Sequence, residues 1–284
     1  MSATAARAPR TMTHQQYIPG ATLRPFISNF TYYKGYRPDH RIDRYLPNGN
    51  IEIIIDLTDR PKYIYDNQTL TEKQACKRIW ISGMRDEFIT IPSGLDAEMF
   101  IIEFKKGMAY PMLGLPLTEI TGTVVHGELI LDKIFLELRE RLFTCAQAGE
   151  MFVLAERLLA RQFGSRLTVN PFVEFAVGKI LGSPTSLSIR SVADKTGYSA
   201  RHFIRIFSDH VGVTPKRFLR IIRFQRAINE IEVKGSIPWA ALAYDCGYYD
   251  QAHFISDFKS FSGLTPLEYM RRRNGDFLNY VPVG

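Results

Sequence analysis

Along this chain the spacing of apolar positions changes character once, near residue 130. From about residue 17 to 104 the runs RYLPNGNIEIIIDLT, KYIYD, RIWISGM, EFITIPSG and AEMFIIEFKKG are short, β-branched or aromatic, and separated by Pro, Gly, Asn or Asp. That is the punctuation of strands, and strands at this interval predict an antiparallel sandwich or barrel. After Gly127 the period becomes helical. LDKIFLELRERLFTCA sets Leu131, Ile134, Phe135, Leu138 and Leu142 on one face, and GEMFVLAERLLARQF does the same with Phe152, Leu154, Ala155, Leu158 and Leu159. FGSRLTVNP interrupts the helix, and everything beyond Pro171 reads as helix again. The prediction is a multidomain α+β chain: a β-rich barrel over 15–130, a helical hairpin over 131–165 and an all-α domain over 171–274.

The all-α region contains a small pattern that is written twice. GYSARHFIRIFSDHVGVTP at 197–215 returns fifty residues later as GYYDQAHFISDFKSFSGLTP at 247–266. Each copy opens on Gly-Tyr, reaches His-Phe, places a second Phe four residues on and closes on Gly-x-Thr-Pro. Ahead of the first copy, Ser188 is suited to cap a helix whose apolar side is Ile189, Val192 and Ala193. Gly197 suits the left-handed turn that ends it, and Ser199 can cap the next helix. With Phe203, Ile206 and Phe207 turned inward, Arg201 and Arg205 share the outward stripe. In the second copy IPWAALAYDCG is the first helix, with Pro238 early where its missing N–H matters little. Gly247 turns, Asp250 caps, and Phe254, Phe258 and Phe261 face inward, leaving Ala252, Ser256 and Lys259 outside. This is helix-turn-helix patterning. Between the copies PKRFLRIIRFQRAINEI forms one amphipathic helix carrying Lys216, Arg217, Arg220, Arg223 and Arg226. Two such units on one chain can address two successive major-groove faces, about 34 Å apart, where a single unit needs a dimer.

Charge adds to this picture. The net charge is +7, and from Asn170 onward there are 15 Lys and Arg against 10 Asp and Glu, compared with 21 against 19 before it. The basic excess of the smaller portion favours a polyanion there, although soluble basic domains share it. Cys76, Cys145 and Cys246 are odd in number and widely spaced, which suits reduced thiols in a cytoplasmic protein and gives neither a disulfide frame nor a zinc site. No apolar run is long enough for a membrane span, and MSATAARAPRTMTHQQ reads as a disordered lead-in without the apolar segment of a signal peptide.

Residues 171–274 resemble the DNA-binding domain of the AraC/XylS family of bacterial transcription regulators. The residues that carry the likeness are SIRSVADKTGYSARHFIRIFSDHVGVTPKRFL and IPWAALAYDCGYYDQAHFISDFKSFSGLTPLEYMRRR, the second of which corresponds to the family signature. The resemblance implies a seven-helix domain that binds double-stranded promoter DNA, an activator working with RNA polymerase, and no cofactor. Its reading positions fall on Arg201, Ile204 and Arg205 in the first unit and on Gln251, Ala252, His253 and Ser256 in the second. The family often has a basic residue where Ser256 stands, so the first unit is expected to discriminate more, an Arg–guanine pair contributing about 1–3 kcal/mol. Lys259, Lys216 and Arg217 are expected on phosphates, adding affinity without sequence information. Solvated-face roles for Arg201 and Arg205, and packing roles for His202 and His253, remain open alternatives.

The first 130 residues resemble, less closely, the cupin-like sensor half of such regulators. Arg44, Tyr45, Trp80 and Arg85 are the candidate effector contacts, but periodicity does not say which face they occupy. A small-molecule effector, a filled barrel and a protein partner all stay open, as do dimerisation by the hairpin to give a homodimer and simple packing of it on the barrel. Glu52 and Asp56 are expected as rim or solvent-face charges. A metal needs at least three converging ligands, and His14, His40 and His126 stand apart. No nucleophile–base pair, phosphate loop or paired-carboxylate motif appears, and none of the three cysteines has the neighbours an alkyl-transfer enzyme would need. The chain is therefore expected to be no enzyme, and the alternative to a specific regulator is a structural DNA-binding protein without sequence preference.

Overall fold

The computed structural model describes residues 12–94, 96–233, 237–273 and 277–283; residues 1–11 of the lead-in read as disordered lie outside them, whereas its end, from Thr13 to Gln16, is ordered by pairing with the second strand. Nine strands come first: β1 (Thr13–Tyr17), β2 (Ile27–Lys34), β3 (Ile42–Tyr45), β4 (Glu52–Asp56), β5 (Lys62–Tyr65), β6 (Glu72–Cys76), β7 (Ile79–Ser82), β8 (Ile89–Pro92) and β9 (Glu98–Phe104). The short helix α1 (Tyr110–Leu113), a 3-10 turn at Leu117–Ile120 and strand β10 (Val124–His126) lead to α2 (Ile134–Leu142) and α3 (Ala148–Phe163). Then come α4 (Pro171–Gly182), α5 (Ile189–Asp194), α6 (Ala200–Val211), α7 (Pro215–Val233), α8 (Trp239–Asp245), α9 (Gln251–Ser262), α10 (Pro266–Arg272) and a final strand, β11 (Tyr280–Pro282). Among the described residues no helix is long and apolar enough to cross a membrane.

The strands form two antiparallel sheets, β1-β2-β9-β4-β7-β10 and β11-β3-β8-β5-β6, which face each other. Strand alternation explains the sequence of the first sheet. Ile53, Ile55, Ile79, Ile81, Phe100 and Ile102 point away from the second sheet into the main core, which they share with the α2–α3 hairpin. Ile54 and Trp80 point the other way and meet Cys76 and Ile89 of the second sheet. Both faces are covered, so β4 reads as an unbroken apolar run instead of alternating.

The hairpin is fixed by rings and by one buried cation. Phe152 of α3 stacks on Tyr17 at 5.5 Å and meets Phe100 at 5.9 Å. Arg139 of α2 is buried, donates to the Asp56 carbonyl at 2.9 Å and pairs with Asp59. Asp56 is itself fully buried and is no rim charge; Thr58 donates to it at 2.9 Å and Lys62 lies 3.6 Å away.

The expectation of helix throughout the region beyond Pro171 fails at its end. The tail returns to the second sheet, pairing Tyr280 with Tyr45, Val281 with Arg44 and Pro282 with Asp43. Gln225 of α7 holds the approach by donating to Pro47 O at 2.7 Å and Asn279 Oδ1 at 2.8 Å. Tyr269 of α10 donates to Leu278 O at 3.0 Å. A three-residue strand is too short to show periodicity, so pairing with β3 supplies what the local pattern lacks. One apolar core runs from the sheets through the hairpin into the C-terminal helices.

Phe152→Ala removes the ring that joins hairpin to sheet and should cost about 3–5 kcal/mol. A thermal melt of the full chain followed by circular dichroism reads this, and an unchanged midpoint would show that the hairpin is held without it.

Candidate nucleic-acid interface and ligand cavity

The two repeated units fold alike because the same local signals recur. Ser188 caps α5 by accepting from Ser191 N, and Ser199 caps α6 by accepting from His202 N. Asp250 caps α9 by accepting from His253 N at 2.7 Å. Gly197 and Gly247 take the turns with φ of 72° and 81°, a backbone region that disfavours other residues. Phe203 and Phe207 of α6, and Phe254, Phe258 and Phe261 of α9, are buried. Arg201, Ile204 and Arg205 are thereby exposed together on α6, and Gln251, Ala252, His253, Ser256 and Lys259 on α9. Arg205 Nη2 lies 3.2 Å from His202 Nδ1. Lys216, at the start of α7, is also exposed.

Sequence reasoning missed the tie that sets α9. Asp257, buried on α9, accepts from Arg220 Nε at 3.0 Å and Nη2 at 2.6 Å. The bidentate geometry fixes α9 against α7 in angle as well as distance. Arg223 donates to Pro184 O at 2.8 Å, tying α7 to the segment before α5. The signal present in the sequence was an Asp among inward-facing aromatics.

Between the two sheets lies a cavity of about 320 Å³. Alternation again decides its lining. Glu52 and Ile54 of β4, Trp80 and Ser82 of β7, and Met99, Ile101 and Glu103 of β9 all point in. Tyr45 lines it from β3, while Arg44, one residue earlier, points out of it. Arg44 donates to Ser262 O at 3.3 Å and lies over the Phe88 ring. Arg85 does not line the cavity either. It is buried, with Nε 3.4 Å from Ser82 Oγ and Nη2 3.4 Å from Thr123 O, and burial pulls its guanidinium down to about 10. Of the four candidate effector contacts, Tyr45 and Trp80 meet at the cavity, and Arg44 and Arg85 do not.

Glu52, expected at the rim, faces this cavity and accepts from Tyr45 Oη at 2.8 Å. Burial, and then the charge of Glu103, raises its carboxyl above the usual range. Glu103, Phe277 and Tyr280 also line the cavity and were missed; the last two reach it only through the returning tail, Tyr280 beside Tyr45 of β3 and Phe277 against Tyr36. Burial pushes the Cys76 thiol up to about 11, away from nucleophilic use. Among the described residues no three His, Cys, Asp or Glu groups gather as a metal site.

Comparison with known proteins adds to this geometry. A helix-turn-helix domain family matches residues 192–272, and a domain of unknown function, DUF6597, matches residues 15–126. An HTH-type transcriptional regulator of Haemophilus influenzae is 35% identical over 83 residues, 29% of this chain and 28% of that protein. "Probable transcription factor PqrA" of Proteus vulgaris is 37% identical over 90 residues, 31% of this chain and 70% of that protein. The chain belongs to the AraC/XylS family of transcription regulators. Among solved structures, fatty-acid-bound ToxT from Vibrio cholerae aligns over 87% of this chain and 95% of its own, at 12% identity and a TM-score of 0.45.

In this AraC/XylS chain the two DNA-binding units rest on the sheets through equivalent corners. Gly212 ends α6 and Gly263 ends α9, with φ of 94° and 69°. A Cβ on Gly212 would lie 2.8 Å from Met84, and one on Gly263 would lie 2.6 Å from the Phe88 ring. The segment 84–88, continuing from β7, therefore touches both units. Arg217, expected on a DNA phosphate, is held here instead. It donates to Asp86 O at 2.8 Å, lies 3.1 Å from the Asp86 carboxylate and covers the Phe261 ring. Its place after the first unit made it look like an outward cation, but the sheets occupy that side.

Arg220→Ala leaves the Asp257 carboxylate buried without its partner and should cost about 2 kcal/mol. Chemical denaturation of the full chain measures this, and a midpoint unchanged from the parent would show that α9 is positioned by its aromatic face alone.

Proposed function

We propose that this protein is a sequence-specific transcription regulator, an activator, that reads two adjacent major-groove faces with α6 and α9 and senses a small molecule in the cavity between its sheets. The observation that carries the reading is the pair of equivalently capped helices, both with exposed outer faces while docked on the same segment. The chain then divides into a regulatory domain at 15–130, a hairpin at 131–165 and a DNA-binding domain at 171–274. Arg201, Ile204 and Arg205 read bases in the first unit. In the second, Gln251, Ala252, His253 and Ser256 approach the groove, and Lys259 and Lys216 meet phosphates.

Ligand control follows from connectivity. The cavity is bounded by β7, which runs into 84–88, and by the tail that leaves α10. A ligand that shifts either wall alters the spacing of the two reading helices without having to cover them. A homodimer through the hairpin would use its outer side, where Val153 is exposed, because the inner side packs on the sheet. RNA polymerase is the partner that activation requires.

Selection of genomic fragments by the purified full chain tests this reading. An enriched asymmetric site spanning two major-groove faces is expected, and salt-sensitive binding with no enriched sequence would make the protein a structural DNA binder. Arg205→Ala should cost about 1–3 kcal/mol and relax preference at one base position. Lys259→Ala should weaken all sequences alike and reduce the salt slope.

A further inference from the structure

The cavity has a chemical polarity that the sensing role alone does not specify. Glu52 and Glu103 are directly paired across β4 and β9, so their side chains lie next to each other on the same face. Both donors to Glu52, Tyr45 Oη and Asn48 Nδ2, reach Oε1. Glu103 accepts from Asn29 through its own Oε1. Each carboxylate keeps an Oε2 with no donor among the described residues, and neither makes an ion pair within 4 Å among them. Arg85 and Lys106 lie near enough to be felt electrostatically, but neither lines the cavity, and Lys106 is bonded to Asn50. Lys62 does line it and lies 3.6 Å from Asp56.

Leading to this acidic end is a run of aromatic rings. Tyr36 meets Phe277 at 5.3 Å, Phe277 meets Tyr280 at 5.7 Å, and Tyr280 meets Tyr45 at 4.8 Å. Tyr45 then reaches Glu52 through its hydroxyl. Opposite, Trp80 of β7 lines the cavity and is 7% exposed. Aromatic faces beside a carboxylate favour a cation whose remaining surface is apolar, and the same faces disfavour an anion. An anionic ligand at the acidic end would bring a third negative charge beside two that already repel.

We infer that the cavity takes a hydrophobic cation, an aryl or alkyl ammonium compound, whose nitrogen sits at Glu52 and Glu103 and whose apolar body lies along the rings from Tyr45 to Tyr36. This rests on the reading of the cavity as a ligand site. Two of the rings, Phe277 and Tyr280, come from the tail behind the second DNA-binding unit, so the ligand touches that tail directly.

The test is calorimetric titration of the purified full chain with three probes of similar size: benzyltrimethylammonium, its uncharged carbon isostere neopentylbenzene, and 3-phenylpropanoate. The cation should bind at least tenfold more tightly than the isostere, and the carboxylate most weakly. Glu52→Gln should remove that preference while leaving the isostere's affinity unchanged. Glu103→Gln should reduce the preference severalfold and carries the test if the first variant does not fold. Tyr280→Leu should weaken the cation more than the isostere. Binding of the isostere or the carboxylate as tightly as the cation would overturn the ligand class and leave the cavity as a sensor site. Failure of all three probes to bind would overturn the ligand-site reading as well.

Discussion

Neighbouring side chains on a strand point to opposite faces, and that constraint organises the centre of this molecule. On β3, Tyr45 enters the cavity and Arg44 reaches Ser262 at the end of α9. On β11, paired with it, Tyr280 enters the same cavity and Val281 is buried on the other side. The β3–β11 ladder is therefore a shared wall, with the cavity on one face and the C-terminal helices on the other. The wall is a single sheet thick, so adjacent residues of one strand face the cavity and the C-terminal helices in turn. The first sheet obeys the same rule, with the hairpin on its outer face and the cavity on its inner one.

The DNA-binding half is built from two local solutions and one long-range brace. Caps and left-handed glycines make each turn, and aromatic faces hold α6 and α9 down. Those devices say nothing of how the two units sit relative to each other. The brace does: α7 spans them, and its arginines divide the work. Arg220 grips Asp257 of α9, Arg223 grips the segment before α5, and Arg217 grips Asp86 of the sheet half. A stripe that reads as a solvated or DNA-facing basic surface is largely an internal clamp. Arg201, Arg205, Lys216 and Lys259 stay exposed, as does Arg226 of α7.

The contact between halves uses the corners at Gly212 and Gly263, which the repeat makes equivalent. One short segment, 84–88, meets both. Because it continues directly from β7, whose Trp80 and Ser82 line the cavity, only a few residues of chain separate the cavity wall from the packing contacts at the ends of α6 and α9.

The sequence by itself determined what depends on neighbours along the chain. The caps at Ser188, Ser199 and Asp250, the turns at Gly197 and Gly247, the inward phenylalanines and the hairpin's apolar stripe were all legible, because each rests on spacings of four residues or fewer. The strands were legible as strands, but their faces were not. Runs such as EIIID are apolar on both sides, so nothing in them distinguishes cavity from core, and Arg44 and Arg85 could not be separated from Tyr45 and Trp80. Glu52 and Asp56 looked like rim charges because solvent is the usual place for carboxylates, and only the partners brought in from other strands and α2 show otherwise. Tertiary structure alone decided the pairing of Glu52 with Glu103, the clamp roles of Arg217 and Arg220, and the return of Tyr280 to the barrel. Each joins residues far apart in the chain, and such contacts are chosen by the packing of whole faces, which no local pattern records.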